Sequence, residues 1–149
     1  MAPLREMAKW VRKRRNEPHV VDKDWIVMGD FNIPKVGDET FKAITSGGLR
    51  LPEALLGAHG SNLDKKKRYD QILHDCTNPN RFTNHGGVLD YYAGNHAALF
   101  PGRTLSKREF TYQLSDHLPL WVQIRVDIEG EKLEQLLGPG QKRRRRRAR

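Results

Sequence analysis

The chain of 149 residues lacks any apolar run that approaches the length of a membrane span. No apolar stretch follows its basic first residues, so we expect no secretory signal peptide. A single cysteine, Cys76, excludes an internal disulfide framework and a zinc site built on several cysteines. These absences are compatible with a reducing, cytoplasmic setting, which is our expectation for the protein.

Apolar residues are also few, at 37% of the chain against 30% charged residues, although the length suffices for one domain with a modest core. The net charge of +9 is concentrated at the two ends. Residues 1–17 contain six Lys or Arg and two Glu, residues 142–149 contain seven Lys or Arg and no acid, and residues 18–141 have a net charge of −2. Basic ends favour polyanions through counterion release, so nucleic acid is an expected partner. We expect residues 138–149 to be a disordered Arg-rich tail.

Hydrophobic spacing predicts an α/β chain in which helices flank a sheet, with one domain over residues 1–137. Helices or helical turns are predicted at four places: 4–15, 38–44, 51–56 and 129–137. Strands are predicted at 25–28, 69–74, 88–92 and 118–126, of which the first is expected to be buried. Residues 93–113 show no clear periodicity, and we expect them to form a long surface excursion.

Three short motifs carry side chains that are capable of chemistry. Residues 29–32, Gly-Asp-Phe-Asn, follow the first predicted strand. Asp30 is a candidate general base or metal ligand, and Asn32 can donate a hydrogen bond to a developing oxyanion. Asp70, in Tyr-Asp-Gln-Ile, puts a carboxylate on a predicted strand. Asp116 and His117, in Ser-Asp-His-Leu-Pro, put a carboxylate beside an imidazole at the start of the last predicted strand. Taken singly, each motif is more often a turn or a surface loop than a site.

Taken together and in this order, the three motifs resemble those of the endonuclease/exonuclease/phosphatase superfamily. This group includes pancreatic-type deoxyribonucleases, abasic-site endonucleases, sphingomyelinases and inositol polyphosphate phosphatases. The resemblance covers about residues 4–128. It implies half of a deoxyribonuclease-I-like α/β-sandwich, the C-terminal half. It further implies a hydrolase that cleaves phosphodiesters, nucleic acid among them, with Mg²⁺ or Mn²⁺.

The resemblance also implies a role for each motif residue. Asp30 would orient or deprotonate the attacking water and is a candidate metal ligand, and Asn32 would stabilise the pentacovalent phosphate and help to position Asp30. Asp116 would be a carboxylate of the metal site. His117 would contact the scissile phosphate, and Asp70 would fix its orientation by a hydrogen bond. These roles match what phosphodiester hydrolysis needs, an activated water and neutralised phosphate oxygens.

The chain departs from the family pattern because the first half of the family domain supplies an Asn and a metal-binding Glu. Glu6 and Glu17 are the only carboxylates of residues 1–17, and neither has the strand context of that Glu. We therefore expect an incomplete metal site and an uncovered apolar sheet face. The candidates for that face are Trp25, Ile26, Ile72, Leu120 and Val122. A complementing N-terminal half or a second copy of the chain would cover it.

Two alternatives stay open besides the nuclease. One is a catalytically inactive fragment that binds polyanions through its basic ends. The other is a phosphatase that acts on a lipid headgroup or an inositol phosphate. The basic residues 65–68 could bind the phosphates of any substrate. Nucleic-acid bases could stack on the rings of Trp10, Tyr91 and Tyr92, although we expect these three rings to pack in the core instead. The remaining histidines have no metal-like spacing, and we interpret them as surface or loop residues: His19, His59, His74, His85 and His96.

Overall fold

A computed structural model describes residues 1–94 and 96–126, together with Gly130, Leu133 and Leu136 as single positions. Over this part the chain is mixed α/β, with three α-helices and two separate antiparallel sheets of two strands each. The elements in chain order are α1 Ala2–Arg15, β1 Trp25–Asp30, α2 Glu39–Thr45, β2 Asp70–Asp75, β3 Phe82–Val88, α3 Lys107–Gln113 and β4 Leu120–Ile124. Short 3₁₀ turns lie at Glu53–Leu55, Pro79–Arg81 and His96–Leu99. Apart from those three positions, the predicted helix 129–137 and the tail 138–149 lie outside the described residues.

Helices α1 and α2 pack together on one face of the β1–β2 sheet and form the main core. The helix predicted at 4–15 is confirmed, and so is the Asp38 cap, whose carboxylate accepts the backbone N–H of Phe41 at 2.8 Å. Leu73, opposite Val27 in the antiparallel register, is fully buried in this core. Its buried members are Val11, Ile33, Ile44, Leu49 and Leu73.

The other face of strand β1 is open rather than buried, which corrects the prediction of a buried strand. Side chains alternate along a strand, so Ile26 and Met28 lie on the face opposite Val27. Ile26 is 39% exposed and Met28 is 69% exposed, because both helices lie on the Val27 side. The predicted set of uncovered apolar residues is wrong in part, since Trp25 packs against the core and Ile72 is buried. Leu120 and Val122 are half-buried.

The second sheet pairs β3 with β4, and β3 is displaced from its predicted position. A strand was predicted at 88–92, but pairing runs over Phe82–Val88 with an irregularity between Phe82 and Gly86. The sequence Phe-Thr-Asn-His-Gly-Gly-Val has little intrinsic strand preference, and pairing with β4 stabilises it. Gly86 allows a close approach, because a Cβ there would lie 2.9 Å from the Trp121 carbonyl oxygen.

Most described residues of the predicted surface excursion at 93–113 are exposed, and the segment also contains the helix α3, which was not predicted. Ser106 caps this helix in a capping box, since its side chain accepts the backbone N–H of Glu109 while Glu109 accepts the backbone N–H of Ser106. Phe110 is fully buried, and its ring packs against those of Tyr91 and Tyr92. Among the residues that the structure describes, no helix has both the length and the apolar character needed to span a membrane.

Candidate functional site

The site begins where β1 ends and β2 starts, at a pair of carboxylates. Asp30 and Asp70 are directly opposite in the antiparallel register. Directly opposed residues project from the same face of a sheet, here the open face that also carries Ile26 and Met28. The Phe31 backbone N–H donates to the Tyr69 carbonyl at 2.9 Å, which continues the pairing just beyond Asp30.

A buried serine links the segment that carries Asp70 to the segment that carries His117. The Ser61 hydroxyl accepts the backbone N–H of Asp70 at 3.1 Å, and the Ser61 carbonyl accepts the backbone N–H of Leu118 at 2.6 Å. Ser61 is 1% exposed, so water does not compete for these bonds. Asn62 and His117 also form an isolated β-bridge. These contacts place the imidazole beside the two carboxylates.

His117 and Asp70 form a direct side-chain pair. The Nδ1 of His117 lies 2.8 Å from an Asp70 carboxylate oxygen, and the two side chains are 29% and 24% exposed. The Tyr69 ring stacks on the imidazole with ring centres 5.9 Å apart. With Asp30 included, one ligand atom from each of the three groups lies within 4.8 Å of the others. The hydrogen bond between His117 and Asp70 is the contact that the resemblance implies.

The charges around His117 favour its protonated form. Burial by itself would lower the pKa of His117. The hydrogen bond that His117 donates to Asp70 outweighs this effect, together with the negative charges of Asp70, Asp30 and Asp116. The net effect raises the pKa above the ordinary value of 6.5. With Nδ1 committed to Asp70, the opposite ring nitrogen, Nε2, is the atom that can donate to an anion.

The backbone of Asn32 contacts the side chain of Asp30. The Asn32 N–H donates to Oδ1 of Asp30 at 2.9 Å, with Asn32 in the left-handed region at φ 51°. Asparagine is one of the few side chains that tolerate this conformation, which gives a local reason for the residue type. The predicted positioning of Asp30 by Asn32 is thus seen as a backbone contact. The predicted contact of its amide with phosphate stays a prediction.

Asp116 is exposed and lies outside the group of three within 4.8 Å. Its charge nevertheless contributes to the raised pKa of His117. The predicted metal role of Asp116 stays a prediction, whereas Asp70, assigned only to orientation, belongs to the group that could hold a metal ion.

Two tyrosines hold the backbone of the loop that carries His117. The Tyr91 hydroxyl donates to the His117 carbonyl at 2.7 Å, and the Tyr92 hydroxyl contacts the Ser115 carbonyl at 3.3 Å. The Ser115 hydroxyl accepts the His117 backbone N–H at 2.9 Å. Sequence reasoning expected these rings in the core and did not see that their hydroxyl groups position the site. Ser61 was missed as well, because a single serine in a loop carries no signal of its contacts.

The basic loop 65–68 is less available for phosphate than its sequence indicates. Arg68 is buried and donates from Nη2 to the Leu55 carbonyl at 2.8 Å, and Lys65 forms an ion pair with Asp90. Lys66 and Lys67 are exposed. The middle of the loop is therefore the part that can meet an anionic ligand.

Comparisons of the chain with protein-family models, with curated proteins and with solved structures give no match.

Proposed function

We propose that this chain carries the hydrolytic site of a metal-dependent phosphodiesterase that acts on nucleic acid. The observation that carries the proposal is the Asp70–His117 pair at 2.8 Å, with the Asp30 carboxylate in the same 4.8 Å cluster. A carboxylate-held imidazole beside a second carboxylate suits an anionic phosphate and an attacking water. The order of the three motifs supports assignment to the endonuclease/exonuclease/phosphatase superfamily and to half of its two-sheet sandwich.

Each side chain has a distinct task in this proposal. Protonated His117 donates from Nε2 to a non-bridging phosphate oxygen, and Asp70 stabilises the imidazolium that does so. Asp30 accepts the proton of the attacking water, while the Asn32 backbone N–H keeps its carboxylate oriented. The Asp70–His117 hydrogen bond keeps Nδ1 from a metal, so a cation would bind to the carboxylate oxygens of Asp30 and Asp70.

An oxygen donor set of this kind fits Mg²⁺ or Mn²⁺, which retain several waters and bind substrate phosphate. Such an ion would supply neutralisation of phosphate charge. The exposed Lys66 and Lys67 support a polyanionic substrate over a neutral one. The open strand face with Ile26 and Met28 supports a partner surface beside the site, either a complementing N-terminal half or a second copy.

The test is cleavage of supercoiled plasmid and of bis(p-nitrophenyl) phosphate by the full chain, with Mg²⁺, with Mn²⁺ and with EDTA. We expect metal-dependent cleavage that falls by a factor of about 10² or more in Asp30→Asn and His117→Ala. The matched controls are Asp64→Asn and His59→Ala, which change exposed residues of the same types. Cleavage that survives both site variants would refute the proposal. So would the absence of metal-dependent cleavage when the chain is complemented with the N-terminal half of a family member, which supplies the missing metal-binding Glu.

A specific observation favours the polyanion-binding module as the second candidate. Helix α1 packs on the Val27 face of the sheet, whereas Asp30 and Asp70 project from the opposite face. The exposed basic side chains of α1, Arg12 and Lys13 among them, therefore point away from the site. In this reading Arg12→Gln with Lys13→Gln weakens salt-dependent DNA binding, and Asp30→Asn does not. DNA binding that is weakened by Asp30→Asn and not by the α1 variants would exclude the polyanion-binding module.

A further inference from the structure

A second concave region lies between the two sheets, away from Asp30 and His117. It is a cavity of about 970 Å³ lined by parts of β2, β3 and β4 and by the segment that precedes the first 3₁₀ turn. His74 lines it and lies four residues beyond Asp70 on the same strand. At about 3.3 Å per residue, this separation is about 13 Å along the strand. The cavity shares no lining residue with the Asp30, Asp70 and His117 cluster.

The lining of the cavity is rich in cationic and polar groups. Arg50 and Arg125 contribute two guanidinium groups, and His74 and His85 contribute imidazoles. Among the described residues of the lining, Glu53 is the one carboxylate. The Arg50 backbone pairs with that of His74 in both directions, at 2.7 and 2.8 Å, which fixes where its side chain begins. The lining therefore carries a net positive charge, although residues 18–141 as a whole are slightly acidic.

His74 is a buried polar group that lacks a partner. It is 5% exposed, which corrects the expectation that it lies on the surface, and its ring lies against Phe82 with centres 4.2 Å apart. Its Nδ1 is buried and has no hydrogen-bond partner among the described residues. Gln71 Oε1 and Arg81 Nε are likewise buried without a partner among the described residues, but His74 is the one of the three residues that lines the cavity.

We infer that this cavity binds a small phosphate-bearing anion, held by the guanidinium groups of Arg50 and Arg125 and assisted by the imidazole of His74. Guanidinium groups match the planar, bidentate geometry of phosphate oxygens, and two of them at one cavity outweigh the single carboxylate of Glu53. The His74 imidazole adds a further polar group to the same cavity wall. This inference stands independently of the proposed hydrolytic activity.

The electrostatics of His74 agree with an anion site. Burial lowers the pKa of His74, the positive charge of Arg50 lowers it further, and the negative charge of Asp75 opposes them. A bound phosphate would add negative charge and raise that pKa. Phosphate binding is therefore expected to raise the pKa of His74 in the NMR titration.

The test is an NMR titration of the ¹³C,¹⁵N-labelled full chain with inorganic phosphate, at an ionic strength kept constant with NaCl. The His117→Ala background removes anion binding at the first site. We expect saturable shifts of the His74 imidazole and of the Arg50 and Arg125 side chains, with the Kd raised about tenfold in Arg50→Gln and in Arg125→Gln. The matched control is Arg108→Gln, an exposed arginine of α3 outside the cavity lining, with a Kd changed by less than about twofold.

A second titration, with AMP, separates two sources of the phosphate group. Tighter binding of AMP than of phosphate, lost in the same two variants, identifies the phosphate of a nucleotide, whereas equal affinity identifies free phosphate. The amide spectrum of each variant reports whether it is folded, and His85→Gln serves as a further lining variant if either arginine variant unfolds. Linear, non-saturable shifts, or an equal loss of affinity in Arg108→Gln, would overturn the inference. So would shifts confined to residues outside the cavity.

Discussion

Replacement of Asp70 by asparagine tests the carboxylate–imidazole pair without changing its shape. Asparagine keeps the size of the side chain and removes its charge, so the hydrogen bond accepted from His117 is no longer charge-assisted and His117 loses part of the negative potential that raises its pKa. We therefore expect the pKa of His117 to fall in Asp70→Asn. An NMR pH titration of the His117 imidazole Cε1–H signal measures this pKa. The absence of that signal in His117→Ala assigns it to His117.

The same variant has a predictable effect on stability. A buried hydrogen bond to a charged group contributes about 1.5–3 kcal/mol to the free energy of unfolding. The side chains of Asp70 and His117 are 24% and 29% exposed, which reduces this contribution to about 1 kcal/mol. Because the folded-state pKa of His117 lies above its ordinary value of 6.5, this contribution is fully present below about pH 6.5. It is lost as the pH rises through the folded-state pKa.

The free energy of unfolding of the wild type should therefore exceed that of Asp70→Asn by about 1 kcal/mol at pH 5.5, and by less at pH 8.5. Urea unfolding at the two pH values measures this difference, and Asp64→Asn is the control for loss of one exposed carboxylate. An equal difference at both pH values, or an unchanged pKa of His117, would refute the reasoning.

Two further predictions concern the core. Gly47→Ala should lower the free energy of unfolding by about 1–3 kcal/mol, because its Cβ would lie 2.5 Å from the Ala8 carbonyl oxygen. Urea unfolding measures this loss of stability. The control is Gly57→Ala, which should stay within about 0.5 kcal/mol of the wild type. Equal effects at both positions would contradict the prediction. Cys76 is 4% exposed and its pKa is raised chiefly by burial, so iodoacetamide should label it about a hundredfold more slowly in buffer than in urea. Similar rates in the two conditions would show that this core is open.

Elements with strong local signals were predictable. The apolar spacing of α1 and the Asp38 cap of α2 are properties of neighbouring residues, and both were found where the sequence indicated. Helix α3 had a local signal too, in Ser106 and Glu109 of its capping box. Its seven residues make only two turns, too few to produce a hydrophobic period, so reasoning from periodicity missed it.

Strand β3 and the burial of His74 could not be read in the same way. Residues 82–88 form a strand because β4 lies beside them, which is a property of distant residues rather than of local preference. The sequence around a histidine does not distinguish a residue in a cavity wall from one on the surface. Only the approach of Phe82 and of the Arg50 backbone buries this one.

The sequence by itself determined which reactive groups are present and that three motifs carry them, because side-chain chemistry is local. The tertiary structure decided that Asp70 and His117, 47 residues apart, meet at 2.8 Å and that Asp30 joins them. It did so through register, since a shift of one residue between β1 and β2 would turn Asp30 and Asp70 to opposite faces. The contacts of Ser61 then bring His117 to the same face, which no local pattern encodes.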